Sequence, residues 1–130
     1  MSQSNSKTVA SIEVTFLQDF AVAALSGTLG EPYAQALREQ LRAVVLGGRR
    51  YVLVDLTGVA EVDSRGLGAI ISLVKLARER GGAVRCCGAR PNVADVFTLT
   101  RLDRILDFYA NQAVALAEPW DHPAVIPADS

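Results

Sequence analysis

The sequence predicts an α/β domain, with a mixed four- to five-stranded sheet packed against about four helices. Three observations predict it. A short run of period-two alternation opens the chain and a second short strand follows it closely, and two nearly continuous apolar runs, YVLVDL and AVRCC, come later. Between and after them lie amphipathic stretches at helical spacing, and Gly47-Gly48 and Gly81-Gly82 close two of these. A hairpin followed by helices alternating with doubly covered strands is the pattern of a sheet whose later strands run parallel through crossover helices.

Residues 1–10 are polar and are expected to be a flexible lead-in. Ile12, Val14 and Phe16 share one face of a strand over Ser11–Phe16. Gln18-Asp19 is a short connection to a second strand, Phe20–Leu25, so the two form a hairpin. Ser26, Gly27 and Gly30 are turn formers, and Pro32 suits the first turn of a helix, where its missing N–H costs nothing. From Tyr33 the helix carries Ala34, Leu37, Leu41, Val44 and Val45 on one stripe, with Arg38, Glu39, Gln40 and Arg42 mostly away from it.

Tyr51–Leu56 is apolar enough to be a central strand. A loop, Thr57–Asp63, leads to a helix from Ser64 to about Arg80 with Leu67, Ile70, Ile71, Val74 and Ala77 on its apolar face. Ala83–Cys87 is a third core strand. Pro91 opens a short helix carrying Val93, Val96 and Phe97, Ile105–Tyr109 reads as a last strand, and Asn111–Ala117 as a closing helix. The organisation is therefore one domain, 11–117, and a proline-rich tail, 118–130, in which Pro119, Pro123 and Pro127 block regular helix. Trp120 and Ile126 are candidates to tack that tail down; a partner-docking segment is the alternative.

Composition narrows the function. The chain of 130 residues is 50% hydrophobic and 21% charged with a net charge of -1, which suits a globular protein and gives no electrostatic reason to expect nucleic acid. No apolar run approaches the roughly 20 residues of a membrane span, and the polar N-terminus lacks the pattern of a secretory signal. A cytoplasmic protein without membrane insertion is expected. Cys86 and Cys87 are adjacent, which fits neither a disulfide framework nor spaced zinc ligands; on a strand they point to opposite faces as small apolar residues. His122 stands alone. There is no Gly-x-Ser-x-Gly elbow, no Ser-His-Asp set and no phosphate-binding Gly-x-x-x-x-Gly-Lys loop, so no enzyme, cofactor or metal site is expected.

The informative stretch is DLTGVAEVDSRGLGAIISL, Asp55–Leu73. Ser64 stands at the entry to a helix, where a serine N-cap alone is worth about 1 kcal/mol. Asp63 either orients the Ser64 hydroxyl or helps the loop turn, and Asp55 is expected to bond the loop. Gly66 and Gly68 weaken the first turns by up to about 1 kcal/mol each, and their missing side chains admit another backbone, from the sheet or from a partner. The free N–H groups and partial positive charge of a helix N-terminus tolerate a phosphate. A phosphoserine adds about 1.5 to 2 negative charges, enough to switch off an interface.

With VLVDLTGV, DSRGLGAI, the helix ending RERGG and the later VFTLTRLDRIL, the chain resembles the STAS domain family of anti-sigma factor antagonists over roughly residues 11–117. DSRGLGAI resembles that family's Asp-Ser-x-Gly-Leu phosphorylation motif. The resemblance implies the STAS fold and a non-enzymatic regulator. Unphosphorylated, it would bind an anti-sigma factor that is a GHKL-type serine kinase and so free a sigma factor. Phosphorylation of Ser64 would end binding, and a phosphatase would restore it; the ATP would belong to the kinase. Asp63, Ser64, Arg65, Gly66, Leu67 and Gly68 are the implied partner-binding residues. An adaptor subunit of a lipid-transporter ATPase, or a scaffold of a stress-sensing assembly, is the alternative, and homodimerisation is left open. Two features depart from the family pattern. Arg65 replaces the usual small residue after the serine and suits either an acidic patch on a partner or the phosphate itself. Gly27-Thr28-Leu29-Gly30 lacks the acidic residue that commonly closes the turn after the second strand, so a polar contact is expected to be missing there.

Overall fold

Alternation along the strands decides the architecture, because it divides apolar side chains between two faces of a sheet and obliges each face to be covered. The computed structural model describes residues 11–17 and 20–120. Strands β1 (Ser11–Leu17), β2 (Phe20–Leu29), β3 (Tyr51–Val62), β4 (Ala83–Cys87) and β5 (Asp107–Tyr109) form one sheet in that order. β1 and β2 pair antiparallel, and every later neighbour is parallel. Helices α1 (Ala34–Leu46), α2 (Ser64–Glu79), α3 (Pro91–Leu99) and α4 (Gln112–Ala117) complete the fold.

One face carries Ala21, Ala23, Val52, Val54, Val84 and Cys86 into the main core with Leu41, Ile70 and Phe97 of the first three helices. The opposite face sends Val22, Leu53 and Cys87 into a smaller cluster with Ala115 of α4 and Trp120. The adjacent cysteines therefore do point to opposite faces, and both are free and buried. Burial raises both thiols, and with the Asp55 carboxylate beside it Cys87 is pushed up to about 12, so neither is a nucleophile at neutral pH.

Several boundaries differ from the sequence expectation. Thr57–Val62 is not a loop but the second half of β3, paired with a β2 that runs on through Ser26 and Gly27 to Leu29 across two register shifts. The apolar run ends at Leu56 because β4 stops pairing at Asp55, so the extension is a two-stranded overhang with one wet face. Side chains at the start of α3 support it: Asn92 Nδ2 donates to the Ala60 carbonyl at 2.8 Å and Arg90 Nε to that of Thr57 at 3.3 Å. Pro32 lies in the turn before α1 rather than in its first helical turn. On α2 the core also takes Ala69 and Leu73, while Ile71 is half-buried. A 3₁₀ turn, Leu102–Arg104, precedes β5 and shortens it. The expected lead-in, the Gln18-Asp19 connection, His122 and the tail residues Pro123, Ile126 and Pro127 lie outside the described residues.

Trp120 does tack the chain to the sheet. Its ring lies against Phe20 and Tyr51 at centroid distances of 5.7 and 5.6 Å, and the Arg85 guanidinium sits 4.0 Å over it. Arg85 is 6% exposed in the middle of β4. It donates to the carbonyls of Ala115, Glu118 and Pro119 at 2.7, 2.8 and 2.6 Å, which satisfies the open carbonyls at the end of α4.

Candidate functional site

The extended β2 and β3 deliver two segments to one place: the turn after Leu29 and the entry to α2 after Val62. Leu29 and Val62 are register partners, and the Asp63 N–H donates to the Leu29 carbonyl at 3.0 Å. The chain then turns into α2 on a cap made by Asp63, not by Ser64. Asp63 has the extended backbone of an N-cap, φ -112° and ψ -179°, and its Oδ1 accepts from the N–H groups of Arg65 and Gly66 at 2.9 Å each. Ser64 is thus the first helical residue, exposed, with its hydroxyl free of the capping duty.

The other Asp63 oxygen accepts from the Glu31 N–H at 3.1 Å. The bond from Gly66, then that from Glu31, followed by Arg65, hold the Asp63 carboxyl below its ordinary value despite some desolvation. Two of the N–H groups that the sequence left open to a phosphate are therefore already occupied. A phosphate on Ser64 would meet a carboxylate at that end of the helix.

Two glycines make this fit, Gly30 and Gly66. A Cβ on Gly30 would overlap the Asp63 carboxylate. A Cβ on Gly66 would overlap the Leu29 carbonyl, so Gly66 answers to the sheet of its own chain. Gly68 differs: a Cβ there would meet only Arg38 Nη2, at 3.4 Å, and the position is half-exposed. Gly66 and Leu67 face inward and are buried, so the accessible part of the segment is Asp63, Ser64, Arg65 and one side of Gly68.

Arg65 already has an acid. Its Nη1 lies 2.8 Å from Glu31 Oε2, the one ion pair among the described residues, with the two side chains 68% and 49% exposed. Gly27–Leu29 is the end of β2 rather than a turn, and the acidic residue nearest after it, Glu31, pairs with Arg65. Nothing in the local sequence signals this pairing, which joins residues 34 positions apart. Asp55 lies apart from Ser64, on β3. Burial pushes its carboxyl up, but bonds from the Thr57 hydroxyl and N–H, from Gln112 and from Cys87 outweigh that and hold it below the ordinary value. It locks β3 to α4, as Gln112 Nε2 donates to Asp55 Oδ2 at 2.7 Å.

Among the described residues no group of three or more His, Cys, Asp or Glu side chains is placed to hold a metal, and no helix is long and apolar enough to cross a membrane. The arrangement offers the exposed Ser64 at a helix entry whose neighbours Asp63, Glu31 and Arg65 are bonded to one another.

The family model described as "Mlab, STAS domain" matches residues 13–107. Among curated proteins the chain is similar to the anti-sigma F factor antagonist of Paenibacillus polymyxa, with 28% identity over 108 residues, 82% of this chain and 92% of that protein. Among solved structures it is similar to the anti-sigma factor antagonist SpoIIAA in its unphosphorylated form, with TM-score 0.72 at 17% identity over 91% of this chain and 100% of that one. It is also similar to the Bacillus cell fate determinant SpoIIAA in the phosphorylated form, with TM-score 0.68 at 16% identity over 82% and 97% of the two chains. At those identities the structures speak for the fold.

Proposed function

The chain belongs to the STAS domain family, and we propose that it acts there as an anti-sigma factor antagonist switched by phosphorylation of Ser64. Unphosphorylated, it binds an anti-sigma factor serine kinase of GHKL type in the cytoplasm and so frees a sigma factor. Phosphorylation by that kinase releases it, and a phosphatase resets it. The protein is the kinase's substrate and not itself an enzyme. The surface that docks is Asp63, Ser64, Arg65 and the open side of Gly68, with Gly66 and Leu67 shaping it from beneath.

The observation that carries this reading is the exposure of Ser64 on a frame that does not depend on its hydroxyl. Asp63 caps the helix and Gly66 docks it, so modification leaves the core contacts in place. The added charge, about 1.5 to 2 units near pH 7, falls beside Asp63 and Glu31. Like charges brought together in an interface cost several kcal/mol, and each 1.4 kcal/mol is tenfold in affinity. The names of the similar proteins support the same reading: an anti-sigma F factor antagonist, and a fold neighbour solved both with and without its phosphate.

The test is capture of the intact chain from its own cells with phosphosite mapping. Ser64→Ala retains the kinase partner in the presence of ATP, whereas Ser64→Asp loses it. A second reading, a constitutive STAS adaptor of a lipid-transporter ATPase or a stress-sensing scaffold, is favoured by the internal use of Gly66, which then asks for no switching partner. Capture of an ATP-binding-cassette subunit, with Ser64 unmodified through growth and stress, would replace the first reading by the second.

A further inference from the structure

Ser64, Gly68 and Ser72 stand at four-residue steps on α2 and therefore lie along one stripe of it, whose far end, Ser72, lines a groove of about 420 Å³ between α1 and α2. From α1, Arg38 reaches across this groove. Its Nη1 donates to Ser72 Oγ, and its Nη2 points to where a Gly68 side chain would begin. Side chains on a helix lean toward its N-terminus, so the spot left empty at Gly68 covers the turn that starts with Ser64. One four-residue step is about 6 Å along the axis, a gap that a phosphate ester and one charge-assisted hydrogen bond can span.

Charge accounting points the same way. A phosphate on Ser64 finds the helix N–H groups of Arg65 and Gly66 bonded to Asp63 and the Arg65 guanidinium paired with Glu31. Arg38 is half-buried, bonded to a neutral hydroxyl, and within 4.0 Å of no carboxylate among the described residues. The remaining charges on the groove are Glu39 and Arg42, both exposed.

We propose that Arg38 is the phosphate-binding residue of phosphorylated Ser64, drawing the new dianion across the Gly68 gap onto the α1–α2 groove. Gly68 then has a use inside this chain: any side chain there would stand between the guanidinium and the phosphate. The inference rests on Ser64 being the modified residue. Its test does not need a kinase, because phosphoserine can be installed at position 64 during translation; failure of the switch reading would instead appear as absence of phosphate on Ser64 in cells.

The measurement is a ³¹P NMR titration of the full chain carrying that phosphoserine. A phosphoserine has a second pKa near 6, and a guanidinium bonded to the dianion lowers it. R38Q is expected to raise the pKa by about half a unit, R38K to restore most of the difference, and R65Q to change it less than R38Q. An unchanged titration in folded R38Q, or a larger shift in R65Q, overturns the proposal. Should R38Q lose its fold, S72A deletes the hydroxyl that aims Arg38 and keeps the charge. The same upward shift, smaller, is then expected, and no shift in S72A overturns the proposal.

Discussion

Arg85 and Arg65 each tie together parts of the chain that are distant in sequence, and they do it in opposite environments. Arg85 is buried, is within 4.0 Å of no carboxylate among the described residues, and gives its protons to three backbone carbonyls while stacking on Trp120. Arg65 is exposed and meets a single carboxylate through water-accessible space. The buried cation is held by neutral backbone carbonyls, whereas the exposed one is held by an opposite charge that water and salt screen. Strength therefore resides where no formal ion pair exists. The exposed pair is the exchangeable one, and it stands at the proposed site.

Three substitutions test that contrast. Arg85→Ala strands the carbonyls of Ala115, Glu118 and Pro119 and unseats Trp120; chemical denaturation should show a loss of about 3 kcal/mol, with a change in Trp120 fluorescence. Asp63→Asn should have a smaller effect that depends on pH. The folded-state pKa of Asp63 is depressed, so its contribution is complete above the ordinary value of 3.8 and is lost as pH falls through the lower folded value. Wild type and D63N should therefore differ in denaturation midpoint at pH 7 and converge at the acid end. Asp55 is depressed too, so both proteins keep an acid-sensitive limb. Arg65→Ala should cost least, within about 0.5 kcal/mol, and the cost should fade in high salt. A large, salt-independent loss at Arg65 would abolish the contrast.

The frame was legible in the sequence because it depends on period: alternation, helical stripes and glycine stops placed the strands and helices in the right order. The β2–β3 overhang was not, because a two-stranded extension with one wet face has no apolar run, and its supports, Arg90 and Asn92, belong to a later helix. Asp63 and Ser64 are both good capping residues, and only the backbone decides between neighbours; here Asp63 has the extended conformation. Arg85 did carry a signal, a lone charge inside the apolar run AVRCC, which has to find several acceptors if the strand is buried. Glu31 and Arg38 carried none, since each acts on α2 from an element that meets it only in space.

The overlap avoided at Gly30 and Gly66 has a consequence for timing. The surface around Ser64 is assembled from residues 29–31 and 62–66, and α1 separates those two stretches in sequence. No fragment of the chain contains that surface until β2 has registered against β3 and the helix between them has docked. Under the proposed function, a partner that reads Ser64 in this setting therefore reads it only after β2 and β3 have paired.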